Sequence, residues 1–289
     1  MKILGITRGA IYSPNLADSD AAILNSVADN LRAMGHEVDI ITEYKMDGAD
    51  FDRYDRVFGM ERDIRNIKKI IGPLSEENYA KFINSIHGII ACSMKGHVYS
   101  ALKHLGVPQP SFIFFQEDDK NGGFKMMDKL VVEPMGMDTP LWMKNGDTSA
   151  TVASDTVYCA DDNDGNAAVE DFCKRNLQCF IMQKHVEGDL IKFYGVEGTD
   201  FFHWQYASHG HSKFGLEKIN GKEKGYAFDP NDIKKAVEKL AAYIDVPIYG
   251  GDAVIDGNGN FYVIDFNDFP SFSACRDEAA QAIAQRIVR

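Results

Sequence analysis

The hydrophobic positions of this chain fall into two regimes that meet near Pro110. In the first, short apolar runs alternate with helical periodicity. Residues 2–7 read as a strand, and Ile23, Leu24, Val27, Leu31 and Met34 recur at helical spacing behind Asp18 or Ser19 as cap, until Gly35 ends the helix. Residues 37–42 give the next strand. The runs 55–60 and 88–92 are short enough to be further parallel strands with helices between them, so the pattern predicts a small open α/β sheet.

Beyond Pro110 paired strands dominate. Residues 111–115, 141–144, 155–159 and 179–185 read as strands around a helix over 167–176, and strands at 189–196 and 201–206 precede a polar loop. A helix over 231–243 starts at Asp229-Pro230 and keeps Ile233, Ala236, Val237, Leu240 and Tyr243 on one face. Two apolar runs then flank a turn rich in Gly, Asn and Asp at 256–260, which is a β-hairpin signal. The fold class expected is α/β and α+β: an N-terminal domain over 1–110, then a domain over 111–289 in two lobes of about 111–184 and 185–289. A ligand would sit between the lobes.

Composition narrows the picture without naming a reaction. With 289 residues, 45% hydrophobic and 26% charged, the chain can build two compact domains. No apolar stretch reaches 18 residues, and the chain opens directly on a strand rather than on a charged region and apolar core, so neither export nor a membrane span is expected. The five cysteines show no paired zinc or redox spacing and fit reduced thiols in a cytoplasm. The net charge of −12 is concentrated in the second half, where 18 basic residues face 29 acidic ones, against 13 and 14 in residues 1–110. No basic patch for a nucleic-acid partner is visible.

The hairpin carries the candidate chemistry. Asp252 is followed thirteen positions later by Asp265 and then by Asn267, and strand alternation turns the last two to one face. Hard oxygen ligands gathered in this way suit Mg²⁺, which takes one or two carboxylates and shares substrate phosphates; a solvated hairpin with polar ends carries the same residues.

The spacing of Asp252, Asp265, Asn267 and Pro270 resembles the metal-binding end of the ATP-grasp superfamily, and the resemblance runs over roughly residues 90–275. It implies a pre-ATP-grasp domain followed by a two-lobed ATP-grasp domain, with Asp252, Asp265 and Asn267 as ligands of Mg²⁺ or, alternatively, Mn²⁺. Gln183, His185, Val186 and Glu187 fall in a segment similar to the family's inter-lobe linker, where backbone groups read adenine and a carboxylate holds ribose. Lys144 matches a phosphate-binding lysine, Lys95 matches the family's other nucleotide lysine, and Lys192 either meets phosphate or faces water. Two departures stand out. The loop over 145–151 has the single glycine Gly146, so that hydroxyls would replace backbone amides on phosphate. D-alanine ligase relatives carry an Arg where this chain has Gly250; Arg276 either substitutes for it or is a surface residue.

The resemblance implies that Mg-ATP is bound and its γ-phosphoryl group passed to a small-molecule carboxylate, giving an acyl phosphate that an amine attacks, with Lys144 and Arg276 as catalytic candidates. Two readings stay open beside it. The run from Tyr262 to Pro270 also resembles inositol phosphate kinases of the ATP-grasp fold, which would phosphorylate a hydroxyl; a non-catalytic nucleotide-binding protein is the other. A small-molecule substrate is expected, without nucleic acid or membrane, and a homodimer is left open. Tyr12, Ser13, Pro14, Asn15, Met60, Glu61 and Arg62 follow strand ends, where ligands bind in open α/β sheets.

Overall fold

β1 (Lys2–Thr7), an apolar run buried through its centre, pairs in parallel with β2 (Glu37–Thr42) and β3 (Arg56–Gly59), giving a three-stranded sheet in the order β2-β1-β3. The computed structural model describes residues 1–12, 16–118, 123–127, 138–146, 151–209 and 214–289. Between β1 and β2, α1 (Ala17–Ala33) lays Ile23, Leu24, Val27 and Leu31 on the sheet. Its cap differs from the expectation: Leu16 occupies the N-cap without a side-chain bond, and Asp18 lies inside the first turn. The acid that matters there is Asp20, which turns inward onto Arg8.

After β3 come α2 (Ile64–Ile71), the single turn α3 (Glu76–Tyr79), α4 (Ile86–Ser93) and α5 (Lys95–His104). The predicted strand over 88–92 is therefore wrong; it lies within α4. Short apolar runs do not distinguish a strand from a buried helix. The deciding features are local: Ser85 caps the helix by accepting from Gly88 N at 3.0 Å, and Ile86 and Ile89 recur three apart on the buried face.

β4 (Phe112–Glu117), β5 (Phe124–Met126), β6 (Leu141–Asn145), β7 (Thr156–Cys159) and β8 (Cys179–Lys184) form an antiparallel sheet in the order β5-β4-β8-β6-β7. α6 (Asp162–Lys174) covers it through Ala168 and Phe172. This helix starts five residues earlier than its apolar periodicity indicates, because Asp161 caps it, accepting from Asn163 N at 2.8 Å and Asp164 N at 3.1 Å.

The last sheet, also antiparallel, is β10-β9-β11-β12, built from β9 (Asp189–Val196), β10 (Phe202–Tyr206), β11 (Ile248–Ile255) and β12 (Phe261–Asp268). α7 (Pro230–Tyr243) starts as predicted, with Asp229 accepting from Asn231 N and Pro230 at the first helical position. α8 (Arg276–Ile287) closes the chain.

Shared cores join the N-terminal sheet to the rest of the chain. Ile23, Val27 and Leu31 of α1 share one core with Ala280, Ile283 and Ile287 of α8. Val98 and Leu102 of α5 share another with Val237 and Leu240 of α7 and with Ala253 and Val263 of the hairpin. Each large aliphatic side chain so buried contributes roughly 1.5–3 kcal/mol. Asn84 adds a polar lock, donating to Ile248 O at 2.8 Å and accepting from Ile248 N at 2.9 Å. Among the described residues no helix is long and apolar enough to cross a membrane.

Candidate functional site

The turn between β11 and β12 and an irregularity at Asp252 together fix which side chains face each other. Asp256 accepts from the backbone N–H of Asn258 and of Asn260, both at 2.9 Å, closing the turn, and a register shift between Asp252 and Ala253 then sets Asp252 directly opposite Asp265 and Gly250 opposite Asn267. Two carboxylates at one cross-strand position repel. They are tolerated because lysines reach them: Lys95, the first residue of α5, comes within 2.9 Å of Asp265, and Lys192, paired in register with Asp252 on β9, lies 3.3 Å from it and 3.7 Å from Glu217.

These partners leave the two carboxyls unequal. Burial drives both upward; at Asp265 Lys95 and Lys144 outweigh it and pull the carboxyl down to about 2, whereas at Asp252 burial prevails over Lys192 and the carboxyl stays above its ordinary value. Lys192 is raised, chiefly by Asp252. Asn267 faces the same side as Asp265 and donates to its Oδ2 at 3.1 Å.

Opposite the hairpin stands the β6–β8 pair. Lys144 on β6 is buried, its Nζ 2.7 Å from Gln183 Oε1, 3.0 Å from Ile264 O and 3.3 Å from Tyr99 OH. Burial and the nearby Lys95 charge lower its pKa to about 8. Past the end of β8, His185 accepts at Nδ1 from Trp142 Nε1 at 3.0 Å, and burial lowers its pKa. Val186 O accepts from Asn220 at 3.1 Å. Asp189 holds the backbone N–H groups of Lys224, Gly225 and Tyr226 at 2.6, 2.8 and 2.9 Å, which anchors the chain running back from Asn220.

All of this opens on one cavity of about 330 Å³. Lys95, Lys144, Gln183, His185, Val186, Lys192, Asp252, Asp265 and Asn267 line it together. Glu187 and Arg276 do not. Glu187 is exposed, and the acid in the wall is Glu217. Arg276 starts α8, its Nε buried and unbonded among the described residues, whereas Arg8 and Arg62 line the cavity. At Gly250 the missing arginine has a steric reason: a Cβ there would come 2.7 Å from Pro270 Cγ and 3.0 Å from Phe193 O.

Of the residues expected there because they follow strand ends, Tyr12 and Arg62 are in the lining and Met60 and Glu61 are not. Arg8, Glu217 and Asn220 were missed; Arg8 directly follows β1 and the same strand-end rule would have found it, but nothing in the pattern marks Glu217 or Asn220. Ser13, Pro14 and Asn15, the loop stretch 147–150 with its hydroxyls, and 210–213 of the polar loop lie outside the described residues.

Among the described residues no group of three or more His, Cys, Asp or Glu side chains gathers for a metal. Two carboxylates and the Asn267 amide oxygen instead form a sparse, hard-oxygen set, the kind that suits Mg²⁺ completed by substrate phosphates.

No family model matches the sequence, and no curated protein matches it. Solved structures do. A RimK-domain ATP-grasp protein from Sphaerobacter thermophilus superposes with a TM-score of 0.66 at 13% identity, covering 100% of both chains. The D-alanine–D-alanine ligase of Bacillus anthracis, solved in complex with ATP, gives 0.62 at 15%, over 100% of this chain and 96% of its own. That of Coxiella burnetii gives 0.67 at 11%, over 100% and 94%. The chain has the fold of this ATP-grasp protein and these D-alanine–D-alanine ligases.

Proposed function

From that fold we propose that the protein is an ATP-dependent amide-forming ligase that binds Mg-ATP in the cavity between β6–β8 and the β11–β12 hairpin. The observation that carries the reading is the directly opposed pair Asp252 and Asp265, with Lys95, Lys144 and Lys192 converging on the same cavity. A like-charged pair set in register costs stability and is expected where a cation is to be held. Asp252, Asp265 and Asn267 would hold Mg²⁺, which when bound neutralises charge developing on the phosphates.

The chain's own groups do the rest by position and charge. Lys144 and Lys95 present cations to the polyphosphate, and Lys192 steadies Asp252 while facing the same space. His185 and Val186 line the part of the wall where the base would lie. A carboxylate acceptor attacks the γ-phosphorus, ADP leaves, and an amine then displaces phosphate from the acyl phosphate. Among the described side chains none is needed as a nucleophile.

The test is a coupled assay of ADP and phosphate release across carboxylates and amines. Phosphate freed only when a carboxylate and an amine are both present supports the ligase. Phosphate retained on a hydroxyl acceptor supports the kinase suggested by the run ending in Asn267-Asp268-Phe269-Pro270, and neither outcome in the presence of Mg-ATP binding returns the reading to a nucleotide-binding protein.

A further inference from the structure

The end of the cavity formed by the N-terminal sheet is lined by two arginines that the nucleotide reading leaves without a task. Arg8 directly follows β1 and Arg62 lies just past β3, so the two parallel strands deliver both guanidiniums to one place. Both side chains are nearly buried, at 10% and 5% exposure. Arg8 donates to Asp20 at 3.1 Å, to Met60 O at 3.1 Å and to Phe269 O at 3.0 Å. Arg62 donates to the Asp268 carboxylate and, at 2.9 Å, to Asp268 O. A guanidinium has five N–H donors. Among the described residues these bonds use three on Arg8 and two on Arg62, so the forks are held in place with donors to spare.

The surrounding acids do not take up those donors. Glu43 is committed to backbone N–H groups, those of Gly9, Arg62 at 2.8 Å and Asp63 at 2.7 Å. Glu61 is buried and its carboxyl is pushed up to about 8 by burial, which keeps it neutral at pH 7. Arg8 itself is lowered from its ordinary value by burial and by the Arg62 charge, despite Asp20, Asp268 and Glu43. Among the described residues Arg8 nonetheless keeps N–H donors unused at the cavity wall, and an anion in the cavity would take them.

We propose that Arg8 and Arg62 form an acceptor subsite that binds a second anionic group, a carboxylate or a phosphate, on the molecule whose other end reacts at the hairpin. Paired guanidinium forks match the oxygens of either group, and the Ser271 and Ser273 hydroxyls line the same cavity. β12 sets the scale. Arg62 is anchored on Asp268, three residues past Asp265, which places the arginine anchorage roughly 10 Å along the strand from the carboxylate pair. The acceptor is thus a small bifunctional molecule, anionic at the end remote from ATP. The reacting end of this inference rests on the ligase reading; the anion subsite itself does not.

The test therefore uses no nucleotide. Calorimetric titrations of the intact protein compare succinate, glutarate and adipate with butyrate, valerate and hexanoate, and O-phosphoserine with serine, with Mg-ATP binding measured separately. Either the dicarboxylates or the phosphorylated probe should bind at least tenfold more tightly than the matched molecule lacking the second anion, which also tells the two anion classes apart. Arg8→Gln should remove that advantage. Because Arg62 is buried against Asp268, its variant keeps the charge: Arg62→Lys, which loses the bidentate fork, should weaken the preference several-fold while Mg-ATP binding persists in both variants. Equal binding with and without the second anion, no binding by any probe, or an undiminished preference in both variants overturns the subsite. Loss of Mg-ATP binding in the wild-type protein would instead strike the ligase reading alone.

Discussion

At the hairpin end of the cavity, buried charge is arranged so that it can change partners; at the N-terminal strand ends, it is arranged so that it cannot. Asp252 and Asp265 face each other in register, each contacted by one lysine on a long flexible stem, and Lys144 is held by neutral oxygens. Arg8 and Arg62 are instead tied by forks to Asp20 and Asp268 and to backbone carbonyls. A lysine is a point charge that can leave a carboxylate for a phosphate at little cost in geometry, whereas a planar fork with several fixed bonds resists displacement. Binding a polyphosphate with its cation demands the first arrangement, and positioning a small acceptor demands the second.

The contrast breaks most visibly at its two anchoring acids. Asp265→Asn should leave the fold intact and reduce ATP-dependent turnover by about 10³-fold or more, checked by phosphate release beside a circular dichroism spectrum. Asp268→Ala should act on stability, leaving Arg62 buried without its carboxylate at a cost of about 3–5 kcal/mol, read as a lowered urea midpoint. Were Asp268→Ala nearly neutral, the fixed character of the arginine end would be refuted.

Smaller effects sharpen the comparison. Lys144→Met should weaken ATP binding roughly 10- to 100-fold, the worth of one charge-assisted contact. Its pKa of about 8 lies below that of an unfolded lysine, so raising the pH has two opposite effects. Between about 8 and 10.5 the unfolded chain keeps a proton that the fold has lost, and stability gains from this group as pH rises. ATP affinity should fall over the same approach, roughly tenfold between pH 7 and pH 9, and Lys144→Met should flatten the profile. Glu217→Gln, which removes only the 3.7 Å contact to Lys192, should change stability by less than about 1 kcal/mol.

The sequence disclosed the hairpin and its turn, because strand alternation and a run rich in Asn, Asp and Gly are local signals, but not the register shift between Asp252 and Ala253, without which Asp252 would face Ile264. Local signals also disclosed α7, where Asp229 and Pro230 mark the start. The run 88–92 misled because its apolar residues satisfy both periodicities, and the choice fell to the Ser85 cap and to packing against Ile244 and Val246, which are distant in sequence. Within the site, alternation pointed Asp265 and Asn267 to one face and the family resemblance marked Lys144, Lys192 and Asp252, and all five line the cavity. Glu217 and Asn220 come from a segment with no periodicity, pinned by Asp189 through backbone groups. Arg276 is near the metal motif in the chain yet does not line the cavity, whereas Arg8 reaches Phe269 O from the far end of the chain.

The most direct test is calorimetric titration of ATP into the wild-type protein and Asp265→Asn, each with and without Mg²⁺. The account predicts that Mg²⁺ strengthens binding to the wild-type chain and that Asp265→Asn abolishes this dependence. ATP binding that ignores both Mg²⁺ and the substitution, or no binding by the wild-type chain in either condition, would contradict it.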